Sequence, residues 1–134
     1  MQIRLSTCLV GFCLGSALFF TGAAAHAQQL FTLKSGERAE LPGFWSVTNC
    51  KSNVVGKPEV EILESPEELT LVFEPAMLVP RRLNCAKPVP GGKIIATAKD
   101  VEEQINAKLT YRIKFKTKDG DRQESHVYNV SIFP

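Results

Sequence analysis

The chain has 134 residues, 44% of them hydrophobic, and its 16 Lys and Arg against 14 Asp and Glu give a formal net charge of +2. Near-neutrality excludes the cationic footprint of a nucleic-acid binder and the polybasic clusters that hold proteins on anionic lipid. The length fits one ordinary domain.

Met1 to Ser6 carry one positive charge, Arg4, and lead into the apolar run CLVGFCLGSALFF (8–20). A spanning helix needs ~20 apolar residues, and this run is shorter. It closes on AAAHAQQ, where Ala25-His26-Ala27 has the small residues of an export-cleavage site. The pattern predicts a secretory signal peptide over residues 1–27, removed after Ala27, rather than an uncleaved anchor. Lipidation fits less well, because Cys8 and Cys13 follow Thr7 and Phe12 and not a small residue. The expected mature domain, residues 28–134, loses only Arg4 among the charges, leaving 15 basic residues against 14 acidic ones. It keeps Cys50 and Cys85. In an exported domain that pair predicts one structural disulfide, since there is no C-x-x-C and His126 is the remaining histidine. The expected location is the periplasm or the extracellular medium, with no membrane span in the mature chain.

No segment shows a 3.6-residue apolar period, while several alternate with period two. LFTLK (30–34) reads as an opening strand before the turn at Ser35-Gly36, and FWSVTNC (44–50) as a second strand reached through Pro42-Gly43. EVEIL (59–63) places Val60 and Ile62 inward and Glu59 and Glu61 outward. Ser65-Pro66 turns the chain into LTLVFE (69–74), where Leu69, Leu71 and Phe73 share a face. PAMLVPRRLNCAKPVPGG (75–92) holds four prolines and two glycines and reads as a long connection, with a short edge strand at Met77 to Val79, because each Pro removes a ladder donor. KIIATAK (93–99) is the next strand, and DVEEQIN (100–106) either one helical turn or a loop crossing between sheets. A terminal hairpin completes seven strands, the count of an all-β sandwich in a single domain.

That hairpin is the most patterned part of the chain. Ala107, Leu109, Tyr111, Ile113 and Phe115 face one way, while Lys108, Thr110, Arg112, Lys114 and Lys116 face the other. KDGDRQ (118–123) is the expected turn, after which Tyr128, Val130 and Ile132 point to the core. A one-residue slip would bury the lysines, so the register is strongly specified. The segment AKLTYRIKFKTKDGDRQESHVYNVSIF resembles the closing strands of bacterial immunoglobulin-like and cadherin-like domains: an apolar-Thr-Tyr-Arg strand, an Asp-Gly turn and a final alternating strand. The resemblance covers about a quarter of the mature chain and implies an immunoglobulin-like sandwich akin to small exported bacterial proteins. Trp45 precedes Cys50, and no Tyr stands two residues before Cys85, so the antibody-type arrangement does not apply. The calcium-ligand motifs of cadherin repeats are missing too.

Candidate chemistry is sparse. The basic stripe Lys108, Arg112, Lys114, Lys116, with Lys118 beyond, would suit a repeating anion, its side chains ~7 Å apart along one strand face. Against this stand six glutamates with no basic residue between positions 59 and 74, able to neutralise the stripe across a shared sheet. No aromatic residue interleaves the stripe as a stacking platform for single strands. Asp119, Asp121 and Glu124 lack the ligand series of a calcium loop. In the expected mature chain His126 and Met77 have no second histidine or methionine to complete a copper or zinc site. Ser125 and His126 are neighbours on a strand and point to opposite faces, and neither a nucleophile elbow nor a phosphate loop is present. The residues compose no catalytic constellation and no cofactor motif, so the chain reads as non-enzymatic. Trp45 is expected in the core, covering the disulfide.

The function so implied is a binding or structural role in the cell envelope, toward a protein or glycan and not a nucleic acid. The alternative is a secreted inhibitor of an envelope-attacking enzyme, using loop 75–92 as a rigid wedge with Arg81 and Arg82 at its tip. A periplasmic metal carrier is the third reading.

Overall fold

Period-two alternation becomes strands throughout the computed structural model, which describes residues 29–134. The expected signal peptide lies outside the described residues. In chain order the strands are β1 (Gln29–Lys34), β2 (Arg38–Phe44), β3 (Val47–Thr48), β4 (Lys51–Ser52), β5 (Val54–Glu64), β6 (Leu69–Leu78), β7 (Val89–Ala98), β8 (Ile105–Thr117) and β9 (Gly120–Phe133), with a 3-10 turn at Arg81–Leu83. One sheet runs β1-β9-β8-β5, a second β2-β7-β6, and β3-β4 form a small ribbon. All pairings are antiparallel except β1 with β9, which is parallel. The two main sheets pack as a β-sandwich, and there is no α-helix among the described residues.

The core lies between the sheets. Leu109, Tyr111 and Ile113 of β8 and Tyr128, Val130 and Ile132 of β9 meet Leu41 and Phe44 of β2, Leu69 of β6, and Ile94, Ala96 and Ala98 of β7, with Leu33 of β1 closing one side. Side chains of this size contribute ~1.5–3 kcal/mol each when fully buried. The face assignment read from the hairpin holds residue for residue: Lys108, Lys114 and Lys116 are exposed, and Tyr111 and Ile113 are buried. Leu69, Leu71 and Phe73 also share the inner face of β6, but Ile62 remains 44% exposed because β5 is an edge strand.

The second strand runs through 38–44, not 44–50. Pro42 sits within it at the edge of its sheet, where a missing N–H costs no ladder bond. A register shift between Leu41 and Phe44 switches the inward parity. Strict alternation from Leu41 would send Gly43 and Trp45 inward; the bulge sends Phe44 instead. Phe44 is 1% exposed and tilts against Phe115 at 4.9 Å and Phe73 at 6.4 Å, while Trp45 ends half-buried outside the core cluster. The Trp45 expectation is thus corrected.

The Pro-rich segment is more ordered than its composition suggests. β6 continues through Pro75 to Leu78 on a sheet edge, and β7 begins at Val89, with Pro90 lying past the last pairing of β2 to β7 at Gly92. Prolines therefore occupy positions where no neighbour needs their N–H. A Cβ on Gly92 would fall 2.1 Å from the Phe73 ring, so glycine is required for this close packing. Segment 100–106 forms no helical turn; it crosses from β7 in one sheet to β8 in the other. The final turn shrinks to Lys118-Asp119, with Gly120 supplying a φ of 123°.

Candidate functional site

The connections after β2, after β6 and after β8 all open on one end of the sandwich. Pairing places the end of β2 beside Gly92, the end of β6 beside Val89, and the start of β5 beside Thr117. This end is built from the β3-β4 ribbon, the loop 79–88 and the β8–β9 turn.

Two residues join Thr48 to Lys51 at the ribbon tip, and both, Asn49 (φ 52°) and Cys50 (φ 58°), have positive φ, as the hairpin turn matching strand twist demands. Asn tolerates this backbone; Cys at the second place is unusual. Cys50 is held there by its disulfide to Cys85, across a Cα separation of 5.5 Å. Cys85 is buried, as is Pro80, while Arg81, Arg82, Leu83 and Asn84 between them are exposed. The amides of Leu83 and Cys85 donate to the Pro80 carbonyl, and that of Asn84 donates to Arg81, closing the 3-10 turn. A buried proline at one foot and a buried half-cystine at the other make the loop a fixed pedestal. Neither arginine side chain forms an ion pair among the described residues. A cleft of about 310 Å³ between β2, β5, β6 and β7 is lined by Phe44, Val54, Pro58, Phe73, Pro75 and Pro90.

The basic stripe occupies the outer face of β8 and is answered by its neighbours. The Lys114 ammonium forms an ion pair with Glu61 Oε2 at 2.8 Å, and the Arg112 guanidinium lies 3.6 Å from the same oxygen. The Lys114 hydrogen bond holds the Glu61 carboxyl below its usual range against the opposing effect of desolvation, helped by the charges of Lys114 and Arg112. In the ladder Glu59 lies opposite Lys114, Asp121 opposite Lys116, and Asn129 opposite Lys108. Three of the six glutamates, Glu59, Glu61 and Glu64, therefore share the stripe's sheet; Glu74 belongs to the other sheet and pairs with Arg38.

Other candidates disperse. Asp121 and Glu124 fall on alternate faces of β9, and no group of three or more His, Cys, Asp or Glu among the described residues is arranged to hold a metal ion. His126 sits 2.9 Å from Glu124 and stacks on Tyr111 at 5.1 Å. Tyr111 stacks in turn on Tyr128, and burial, with Tyr128 beside it, raises its hydroxyl pKa well above the usual tyrosine range. The ribbon and the αL cysteine escaped sequence reasoning; the Asn-Cys pair was a faint signal, since Asn commonly opens such turns. No helix among the described residues is long and apolar enough to cross a membrane. No family model, no curated protein and no solved structure matches the chain significantly.

Proposed function

We propose that this is an exported, non-enzymatic binding module of the cell envelope, immunoglobulin-like in fold, whose contact surface is the disulfide-pinned end of the sandwich. The fold assignment is supported by strand order. With the seven long strands lettered A to G in chain order, one sheet is B-E-D and the other A-G-F-C, the immunoglobulin grouping with its first strand moved to the G side. The end carrying the B–C and F–G connections is the one that variable domains use for recognition. The disulfide here joins the B–C ribbon to the D–E loop and not the two sheets. Its effect is to fix loops, as a preorganised binding surface requires.

The observation that carries the proposal is the Arg81-Arg82-Leu83 turn: exposed, covalently pinned and with no ion pair at either arginine among the described residues. The same turn favours the second reading, an inhibitor of an envelope-attacking enzyme, which differs only in naming an enzyme as partner. Export and a periplasmic or secreted location fit the disulfide and the expected cleavage after Ala27. The test is capture from envelope extract by the mature domain. An Arg81→Glu, Arg82→Glu variant that still folds should lose the captured partner, whereas Lys114→Glu, Lys116→Glu should keep it. The opposite pattern would return the contact to the sheet face.

A further inference from the structure

We infer that the first half of β9 is a self-association edge through which two copies of this chain join their four-stranded sheets. β8 pairs with β9 along its whole length, but β1 covers the other side only from Tyr128 to Phe133. Gly120 to Val127 thus has no strand on that side among the described residues. The Ser35 amide donates to the Phe133 carbonyl on the β1 side, at 2.7 Å. Alternation along the strand then turns the N–H and C=O of Asp121, Gln123, Ser125 and Val127 toward the uncovered side.

Other edges are guarded. β5 carries Pro58 and two register shifts, β2 carries Pro42 and a register shift, β6 carries Pro75, and β1 has six residues among those described. β9 has no proline and no register shift over 14 residues, so it lacks the devices that blunt an open edge.

Charge selects the occupant and its register. In an antiparallel pairing with a second copy, the outward-turned residues must meet one another, so allowed registers differ by steps of two. Centred on Gln123, Asp121 exchanges backbone bonds with Ser125 of the second copy, and Arg122 lies opposite Glu124 twice. One step either way sets Glu124 against Glu124 or Arg122 against Arg122. Only the centred register is electrostatically self-complementary, and the two-fold axis it implies is that of an isologous dimer. Glu124 already meets His126 through Oε1, which leaves Oε2 for the arginine. Asp119 of the second copy, in its hairpin turn, would come level with Val127, one position short of the Tyr128 that Gln29 covers.

Sedimentation of the exported mature protein at rising concentration tests this. A reversible dimer is expected. Arg122→Glu and Glu124→Arg should each weaken it about tenfold, as loss and reversal of two cross-strand pairs implies, and the double exchange should restore it. Gln123→Pro, which removes an N–H that β8 does not use, should abolish the dimer and leave the monomer folded. A monomer at every concentration would overturn the inference, as would a dimer indifferent to all four variants. A monomer whose Gln123 and Ser125 amides resist hydrogen exchange would overturn it too, by showing that chain preceding Gln29 covers the edge.

Discussion

The molecule displays two basic surfaces, the outer face of β8 and the Arg81-Arg82 turn, and they differ in what lies beside them. The β8 face looks the stronger candidate in sequence, with four basic residues at regular spacing. Folding sets Glu59 and Glu61 next to it, so its cations are largely answered within the sheet. The loop has two arginines and an irregular sequence, but neither arginine forms an ion pair among the described residues, and their backbone is tied at Pro80 and Cys85. A charge pattern along one strand reports what that strand shows its neighbours. Whether the charge is free depends on strands distant in sequence.

The largest expected effect separates what supports the β8 face from what decorates it. Tyr111→Ala or Ile113→Ala should cost ~2–5 kcal/mol in chemical denaturation, since each empties a fully buried position, whereas Lys114→Ala should cost under ~0.5 kcal/mol. Equal costs would mean that the stripe and the core had been assigned to the wrong faces.

Next comes the covalent link at the loop. With 35 residues separating the cysteines, replacing both Cys50 and Cys85 by serine should lower stability by ~3–4 kcal/mol on the chain-entropy account. Hydrogen exchange should accelerate at the Leu83 and Cys85 amides well before it does in β8. Uniform acceleration would show that the disulfide supports the whole sandwich and not the loop end in particular. Gly92→Ala should follow at ~1–3 kcal/mol, because the added methyl must displace the Phe73 ring.

Acid should sharpen the contrast. The Glu61 carboxyl titrates lower in the folded chain than in the unfolded one, so its contribution is present above the unfolded value of about 4.3 and is lost as pH falls through the folded value. Glu61→Gln should therefore flatten part of the acid limb of a stability–pH profile, below about pH 4. An unchanged limb would mean that Lys114 and Arg112 do not hold this carboxylate in solution. The smallest effect is on the stripe itself: at physiological ionic strength, where charges are screened beyond ~8 Å, the mature protein should not be retained on an anionic matrix.

Much of the fold was legible where local and global signals agreed. The β8–β9 hairpin alternates strictly, and burial alone fixes its register, so the core residues Leu109, Tyr111, Ile113, Tyr128, Val130 and Ile132 could all be named. The second strand was misplaced because Pro42-Gly43 reads as a break, and only the presence of β7 on one side and none on the other makes a proline acceptable there. Trp45 was misread for the same cause, since a bulge inverts parity without a residue signature of its own. The disulfide pairing was readable from count and compartment. That it pins loops instead of sheets was not, since this depends on where residues 45–53 and 79–88 lie in space. Of the candidate site, Arg81 and Arg82 were visible; that neither forms an ion pair among the described residues was not.

The central claim, that recognition occurs at the pinned loop and not on the basic sheet face, is tested most directly by site-specific photo-cross-linking in exporting cells. A photoreactive residue at Leu83 should give a discrete adduct with an envelope component, lost when Cys50 and Cys85 are both changed to serine, and the same probe at Lys114 should give none. An adduct at Lys114 with none at Leu83 would contradict the account.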